Sequence, residues 1–199
     1  MAQICQFWCQ DSFGLTKVQC MTTLSAVVAA VVAENTSDVF ALMGNGNAYF
    51  TDALAQHRHV TMTVVRHETA TVASADAFWR VARKIAVATT TFGPGYTNAL
   101  TALAEAAVSR SPLVFVVGGE PLFRSLSLGP RPWDVDQVAL AEAVGALTMT
   151  IGQNDVPEAA DVAEGTKQAF QRALEERLPV VLFVPFDKAK LEVTGDFDP

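Results

Sequence analysis

The sequence predicts an α/β fold, a six-stranded parallel sheet with helices on both faces, from three observations. Six short apolar runs, Asp38 to Met43, Val60 to Val65, Ile85 to Thr90, Leu113 to Val117, Leu147 to Ile151 and Val180 to Val184, lack the alternation of a half-solvated strand and read as strands covered on both sides. Helical stretches lie between them, near Leu24 to Glu34, Tyr49 to His57, Glu68 to Arg80, Thr97 to Arg110, Val135 to Val144 and Val156 to Arg177, the alternation of a crossover-connected sheet. The unusual residues fall where runs end: Arg66-His67-Glu68 after the second and Gly93-Pro94-Gly95 after the third. Strands that are each crossed back by a helix end at one edge, so Glu68 and the Gly-Pro-Gly turn are expected side by side, where open α/β sheets bind ligands.

From the amino terminus, residues 1–20 hold all three cysteines, Cys5, Cys9 and Cys20, an odd number at a spacing that matches no zinc pattern. They also lack the basic and apolar segments of a secretory signal. A disordered extension is expected over 1–20, with Phe7, Trp8 and Phe13 unpacked, then one domain over 21–187, then the start of a linker over 188–199. At 199 residues, half of them hydrophobic, the chain is long enough for one such domain with a full core. Leu24 to Ala33, the longest strongly apolar run, is too short to span a bilayer and is expected to be a core-facing helix capped by Thr22 or Thr23.

The helix that starts at Glu68 is rich in small residues, Ala70, Ala73, Ser74, Ala75 and Ala77, a surface suited either to its own sheet or to a helix of a second subunit. In the next helix Leu100, Leu103, Ala104, Ala107 and Val108 recur at i, i+3, i+4, i+7 and i+8, and Pro112 ends the pattern. Residues 121–132, with Gly129-Pro130-Arg131-Pro132, read as an exposed loop. A net charge of −7 without a Lys/Arg cluster argues against nucleic acid, and with no signal or spanning segment the expected location is cytoplasmic, away from membranes.

Taken singly the motifs say little: an acid in the first turn of a helix is favoured by the macrodipole, and Gly-Pro-Gly is a good turn. Their order is more specific. Arg66-His67-Glu68, then Ala75-Asp76-Ala77-Phe78-Trp79-Arg80 through Lys84, then Gly93-Pro94-Gly95-Tyr96-Thr97-Asn98 follow one another. This succession resembles the pyrimidine-binding (PYR) domain of thiamine-diphosphate enzymes, the group of acetolactate synthase, pyruvate oxidase and benzoylformate decarboxylase. In that group an R-H-E triplet, an A-D-G-Y-A-R-x-T-G-K segment and G-P-G-x-T-N occur in the same order, and no gap is needed from Glu68 to Asn98. The resemblance extends from about Leu24 to Phe186. It departs at Met43, where proline is usual, at Asn45, where a second glycine is common, and at Ala77-Phe78-Trp79 in place of Gly-Tyr-Ala.

The resemblance implies a lyase or transferase, acetolactate synthase-like, that acts on a 2-keto acid with thiamine diphosphate. Glu68 would be catalytic, hydrogen-bonding a ring nitrogen of the aminopyrimidine in a cleft closed to water. Met43, Gly44, Asn45, Gly93, Pro94 and Asn98 would lie against the cofactor. Asp134, Asp136 and Gln137 would stand near a partner's active site. Mg²⁺ and the diphosphate are held in this group by a separate PP domain through a G-D-G motif. Gly195-Asp196-Phe197 comes nearest to that motif and has nothing behind it, so the PP domain is expected outside this chain, on a neighbouring subunit of a homodimer or homotetramer, and the isolated chain is expected to be inactive. FAD is compatible with the resemblance, but no residue here reads for it.

Among the histidines, His57 and His59 have no ligand partner at metal spacing, so no metal site is expected; for His67 the resemblance implies a structural neighbour of Glu68 rather than a catalyst. Two other readings were open. Gly44-Asn45-Gly46 as a nucleotide-binding loop fails because Tyr49 occupies the third glycine position of G-x-G-x-x-G. A non-catalytic PYR-like domain kept for assembly is disfavoured by the presence of Glu68.

Overall fold

The structure, a computed structural model, describes residues 22–119, 135–154, 156–185 and 188–199. The helices are α1 (Leu24–Asn35), α2 (Ala48–Leu54), α3 (Glu68–Ala82), α4 (Pro94–Thr97), α5 (Leu100–Val108), α6 (Gln137–Ala143) and α7 (Ala159–Glu176). The strands are β1 (Asp38–Ala41), β2 (Thr61–Val64), β3 (Val87–Thr90), β4 (Leu113–Gly119), β5 (Leu147–Thr150) and β6 (Pro179–Pro185), all parallel in the order β2-β1-β3-β4-β6-β5. This is the expected sheet, with helices on both faces.

The central runs are apolar throughout because each face of the sheet has its own core. Along β4, Val114 and Val116 enter a core with α1, α2 and α7, while Leu113, Phe115 and Val117 enter one with α3, α5 and α6. β6 divides the same way, with Val180, Leu182 and Val184 on the first side and Val181 and Phe183 on the second. The alternation of a strand is present but hidden. The outer strand β2 differs: three of its four residues are exposed and Val64 is 70% exposed, because an edge strand has less to cover it. There the expectation of cover on both sides does not hold.

α1 is buried nearly all round because α2 and α7 both pack against it, and Thr23, one of the two expected caps, accepts the Ala26 N–H at 3.2 Å. The expected single helix over Thr97 to Arg110 is instead two, α4 and α5, broken at Asn98-Ala99. The predicted stripe rotates accordingly. Leu103 and Ala107 are buried together with Ala99, Ala102 and Ala106, Ala104 is half-buried, and Val108 is 81% exposed. The alanines let the helix lie close to α3 and the sheet, so the larger valine is left outside.

On α3, Val72, Ala75 and Asp76 face inward while Ala73 and Ala77 are exposed, so only part of the small-residue surface is used by its own sheet. Arg80 forks onto buried Asp76 through Nε and Nη2 (2.9 and 2.7 Å) and reaches Ser109 Oγ at 2.7 Å, which ties α3 to the end of α5. Phe78 packs edge-on against Phe40, and Trp79 packs against the first core. These aromatics occupy the positions where the sequence departs from the Gly-Tyr-Ala pattern.

Residues 1–20, the loop 121–132 and Asp134 lie outside the described residues. Over 188–199 the chain runs back across the carboxyl edge: Leu191 O accepts Leu24 N–H at 2.9 Å, Thr22 O accepts Val193 N–H at 2.9 Å, and Val193 and Phe197 pack against the first core. Among the described residues no helix is long and apolar enough to cross a membrane.

Candidate active site

From β1 the chain moves outward to β2, and from β3 it moves the opposite way to β4, so its winding reverses between β1 and β3. The crevice beyond the carboxyl ends of such strands is where ligands bind in open α/β sheets. Register makes the loops there level. Ala41 pairs with Val64 and with Thr89, and Thr90 pairs with Val117, which sets Met43, Arg66, Thr91 and Gly118 side by side two residues or one residue further on.

Glu68 opens α3 at this edge. His67 is its N-cap, with ring Nδ1 accepting the Thr69 N–H at 3.2 Å, so the imidazole serves the backbone. The Glu68 side chain is half-buried, neither enclosed by its own domain nor free in solvent. Asn98 Nδ2 donates to its Oε2 at 3.1 Å. Thr69 Oγ1 donates to the Asn98 carbonyl at 2.6 Å, an acceptor made available by the break between α4 and α5. Two hydrogen bonds thus join the start of α3 to the turn that follows Gly93-Pro94-Gly95.

That turn needs its glycines. Gly93 has φ 61° and ψ −124°, which a side chain rarely permits, and Pro94 then starts α4 at the position where its missing N–H costs nothing. A Cβ on Gly95 would lie 2.5 Å from Thr91 Cγ2 and 3.7 Å from Glu68 Oε1, so the backbone of Gly95 is a near neighbour of the carboxyl group.

The β1–α2 turn closes the other side. Asn47, 2% exposed, accepts the Gly44 N–H at 2.8 Å and donates to Leu42 O at 3.2 Å and Thr89 Oγ1 at 3.0 Å. Thr91 Oγ1 accepts the Gly46 N–H at 2.9 Å, and a Cβ on Gly44 would fall 2.7 Å from Thr91 Cβ. Thr91 is therefore the post on which the Gly44, Gly46 and Gly95 backbones all rest. Beyond it Gly46 meets Gly118 backbone to backbone, since a Cβ on Gly118 would stand 2.7 Å from Gly46 Cα.

Of the candidate residues, Glu68, Asn98, Gly93, Pro94 and Gly44 converge at the strand reversal. Met43, 69% exposed, and exposed Asn45 stand on the same rim, but no hydrogen bond among the described residues joins Asn45 to Glu68 or Asn98. Asp136 caps α6, accepting the Ala139 N–H at 2.9 Å, and buried Gln137 donates to Gly118 O at 3.3 Å. Sequence reasoning passed over Thr91, Asn47 and Thr69. Asn47 reaches back to the Gly44 N–H, not forward as in an Asx turn, so its spacing gave no signal, and Thr91, last of three consecutive threonines, had none either.

Below the site, Tyr96 lies between Phe115 and Phe183, with ring centroids 5.9 Å from each, and its hydroxyl is buried without a partner among the described residues. Burial pushes its phenol well up, so the folded chain holds it neutral. Tyr96→Phe is expected to stabilise the chain by about 1 kcal/mol in urea melts, because an unsatisfied hydroxyl leaves the core. Because the folded phenol titrates above the unfolded one, its contribution is complete below about pH 10 and is lost as pH rises further, so the variant should also resist alkaline unfolding better.

His57 and His59 stand edge to face with centroids 6.1 Å apart, and His59 Nε2 lies 2.9 Å from Ala33 O. Burial, then the neighbouring His59, lower the His57 pKa, against a raising effect of Glu34. Among the described residues no three His, Cys, Asp or Glu side chains are grouped to hold a metal. A groove of about 520 Å³, lined by His59, Trp79, Arg83, Lys84 and Phe170 among others, opens at the amino ends of β1 and β3, the edge opposite Glu68.

Comparison with known proteins settles the family. Residues 21–140 match the model of the thiamine pyrophosphate enzyme N-terminal TPP binding domain. The chain belongs to that family. As a thiamine pyrophosphate-binding N-terminal domain it is similar to a probable acetolactate synthase large subunit of Methanococcus aeolicus, 29% identical over 181 residues that cover 90% of this chain and 29% of that protein. It is likewise similar to a sulfoacetaldehyde acetyltransferase of Castellaniella defragrans, 31% identical over 88% of this chain and 29% of that protein. A 2-hydroxyacyl-CoA lyase 2 of Caenorhabditis elegans is 26% identical over 84% of this chain and 26% of its own length. The chain thus spans less than a third of the length of these relatives.

Proposed function

We propose that this chain is the pyrimidine-binding half of a thiamine-diphosphate-dependent enzyme acting on 2-keto acids, of acetolactate synthase type, with Glu68 activating the cofactor. The observation that carries it is the Glu68 carboxyl group at the strand reversal, held by Asn98 on Oε2, with Oε1 3.7 Å from where a side chain on Gly95 would begin. The residues present fit the pyrimidine half: a half-buried carboxyl on an open rim can reach a ring nitrogen, and a turn without side chains lets a flat ring lie against main chain. When bound, the cofactor supplies the carbon nucleophile that adds to the keto group. With it bound, Glu68 would hold and pass the proton at the ring nitrogen, Gly93, Pro94 and Gly44 would lie against the ring, and Met43 and Asn45 would form the outer rim toward the substrate.

The same reading assigns Mg²⁺ and the diphosphate to a PP domain supplied by a neighbouring subunit, which would also cover the rim and exclude water from Glu68. The exposed Ala73, Ala77, Val81 and Val108 on α3 and α5 support a second copy as the packing partner. A cytoplasmic enzyme, with residues 21–187 as the PYR domain and 188–199 leading to the next, completes the proposal.

The test is turnover by the complete enzyme. With thiamine diphosphate and Mg²⁺ it is expected to release CO₂ from pyruvate and form acetolactate, and removing the cofactor should stop both. Undiminished turnover without the cofactor, or none of any 2-keto acid with it, would overturn the assignment.

A further inference from the structure

We infer that Asn98 is a positioning residue that decides which oxygen of Glu68 carries the proton, rather than a residue that contacts the cofactor. The inference deepens the proposed function and rests on it. A neutral carboxyl group has one oxygen that donates and one that accepts, and it is free to exchange them unless its surroundings discriminate. Asn98 discriminates. Facing a carboxylate oxygen, its amide presents Nδ2, and that N–H, 3.1 Å from Oε2, requires a lone pair there. With the amide so placed, a proton on Glu68 belongs on Oε1, the oxygen 3.7 Å from where a Gly95 Cβ would stand, and there a ring nitrogen would accept it.

The main chain that carries this side chain is itself held in place. The Asn98 carbonyl accepts Thr69 Oγ1–H at 2.6 Å, and Thr69 adjoins Glu68 in the first turn of α3. The chain breaks its helix at Asn98-Ala99, which leaves this carbonyl to Thr69, while Ala99 O takes up the ladder by accepting the Leu103 N–H at 3.0 Å. An unbroken helix would have directed the Asn98 carbonyl to its own fourth neighbour. Glu68, Thr69 and Asn98 thus form a closed loop of contacts between two helices whose other ends are joined by Arg80.

Asn98→Asp keeps size and shape but exchanges the donor for an acceptor, and Asn98→Ala removes the side chain. In the complete enzyme both are expected to lower kcat by about a hundredfold, the cost of misplacing one reacting group, with KM for pyruvate changed less than about threefold. Glu68→Gln, assayed in parallel, separates the two ideas. If it retains activity, the proposed role of Glu68 fails; if it is inactive while Asn98→Asp matches the parent, the positioning role alone fails. A second readout needs no cofactor. In the 199-residue chain one Asn98 Hδ2 resonance should lie downfield of a free amide and return to the free position in Glu68→Ala. A free-amide shift in the parent chain would also overturn the inference.

Discussion

Replacing Glu68 by glutamine is expected to lower kcat of the complete enzyme by about a hundredfold to ten-thousandfold, the range for a positioned general acid or base. The fold should not respond. Glutamine has the same outline, its carbonyl oxygen can accept the Asn98 N–H in place of Oε2, and a half-buried site at the sheet rim tolerates such a change to within about 0.5 kcal/mol. What glutamine cannot do is share a proton with a ring nitrogen. Steady-state kinetics with saturating thiamine diphosphate, alongside urea denaturation of the variant, would separate these effects. Loss of activity with a lowered unfolding midpoint would point to a structural role, and near-parent activity would remove Glu68 from the chemistry.

Gly118→Ala should disable the site by a different route. Its Cβ would meet Gly46 Cα, O and C at 2.7 to 2.9 Å, all main-chain atoms that cannot rotate aside. Overpacking of this kind costs about 1 to 3 kcal/mol, and relief requires the β1–α2 turn to lift away from Thr91, on which Gly44 and Gly95 also rest. Lower stability and weaker cofactor binding are therefore expected together. The neighbouring Gly119→Ala is the control: its Cβ would come no closer than 3.4 Å to Pro185 N and Val184 C, so an effect within about 0.5 kcal/mol is expected. Equal behaviour of the two variants in denaturant would contradict the close Gly46–Gly118 contact as the cause.

The parts of this site that could be read from the sequence are those encoded along the chain. Glu68 and Gly93-Pro94-Gly95 follow strands directly, and parallel topology brings such positions to one edge whatever the helices between them contain. Arg80 and Asp76 could have been paired from their i, i+4 spacing alone. Contacts between loops from different strands left no such trace. Thr91 carries three glycine backbones, yet in the run Thr89-Thr90-Thr91 nothing distinguishes it, and Gly118 looks like any glycine at the end of a strand. The helix break at Asn98-Ala99 contains neither glycine nor proline, so a continuous helix was the natural expectation, and the break is what releases the Asn98 carbonyl to Thr69. β2 was expected to be buried on both faces because a short apolar run does not reveal that its strand lies at the sheet edge.

The most direct measurement is a crystal structure of the complete enzyme with thiamine diphosphate and Mg²⁺ bound. Glu68 Oε1 is predicted to lie about 2.6 to 3.2 Å from a pyrimidine nitrogen, with Oε2 still engaged by Asn98. A pyrimidine ring bound elsewhere, or one that meets Glu68 only through intervening solvent, would contradict the account.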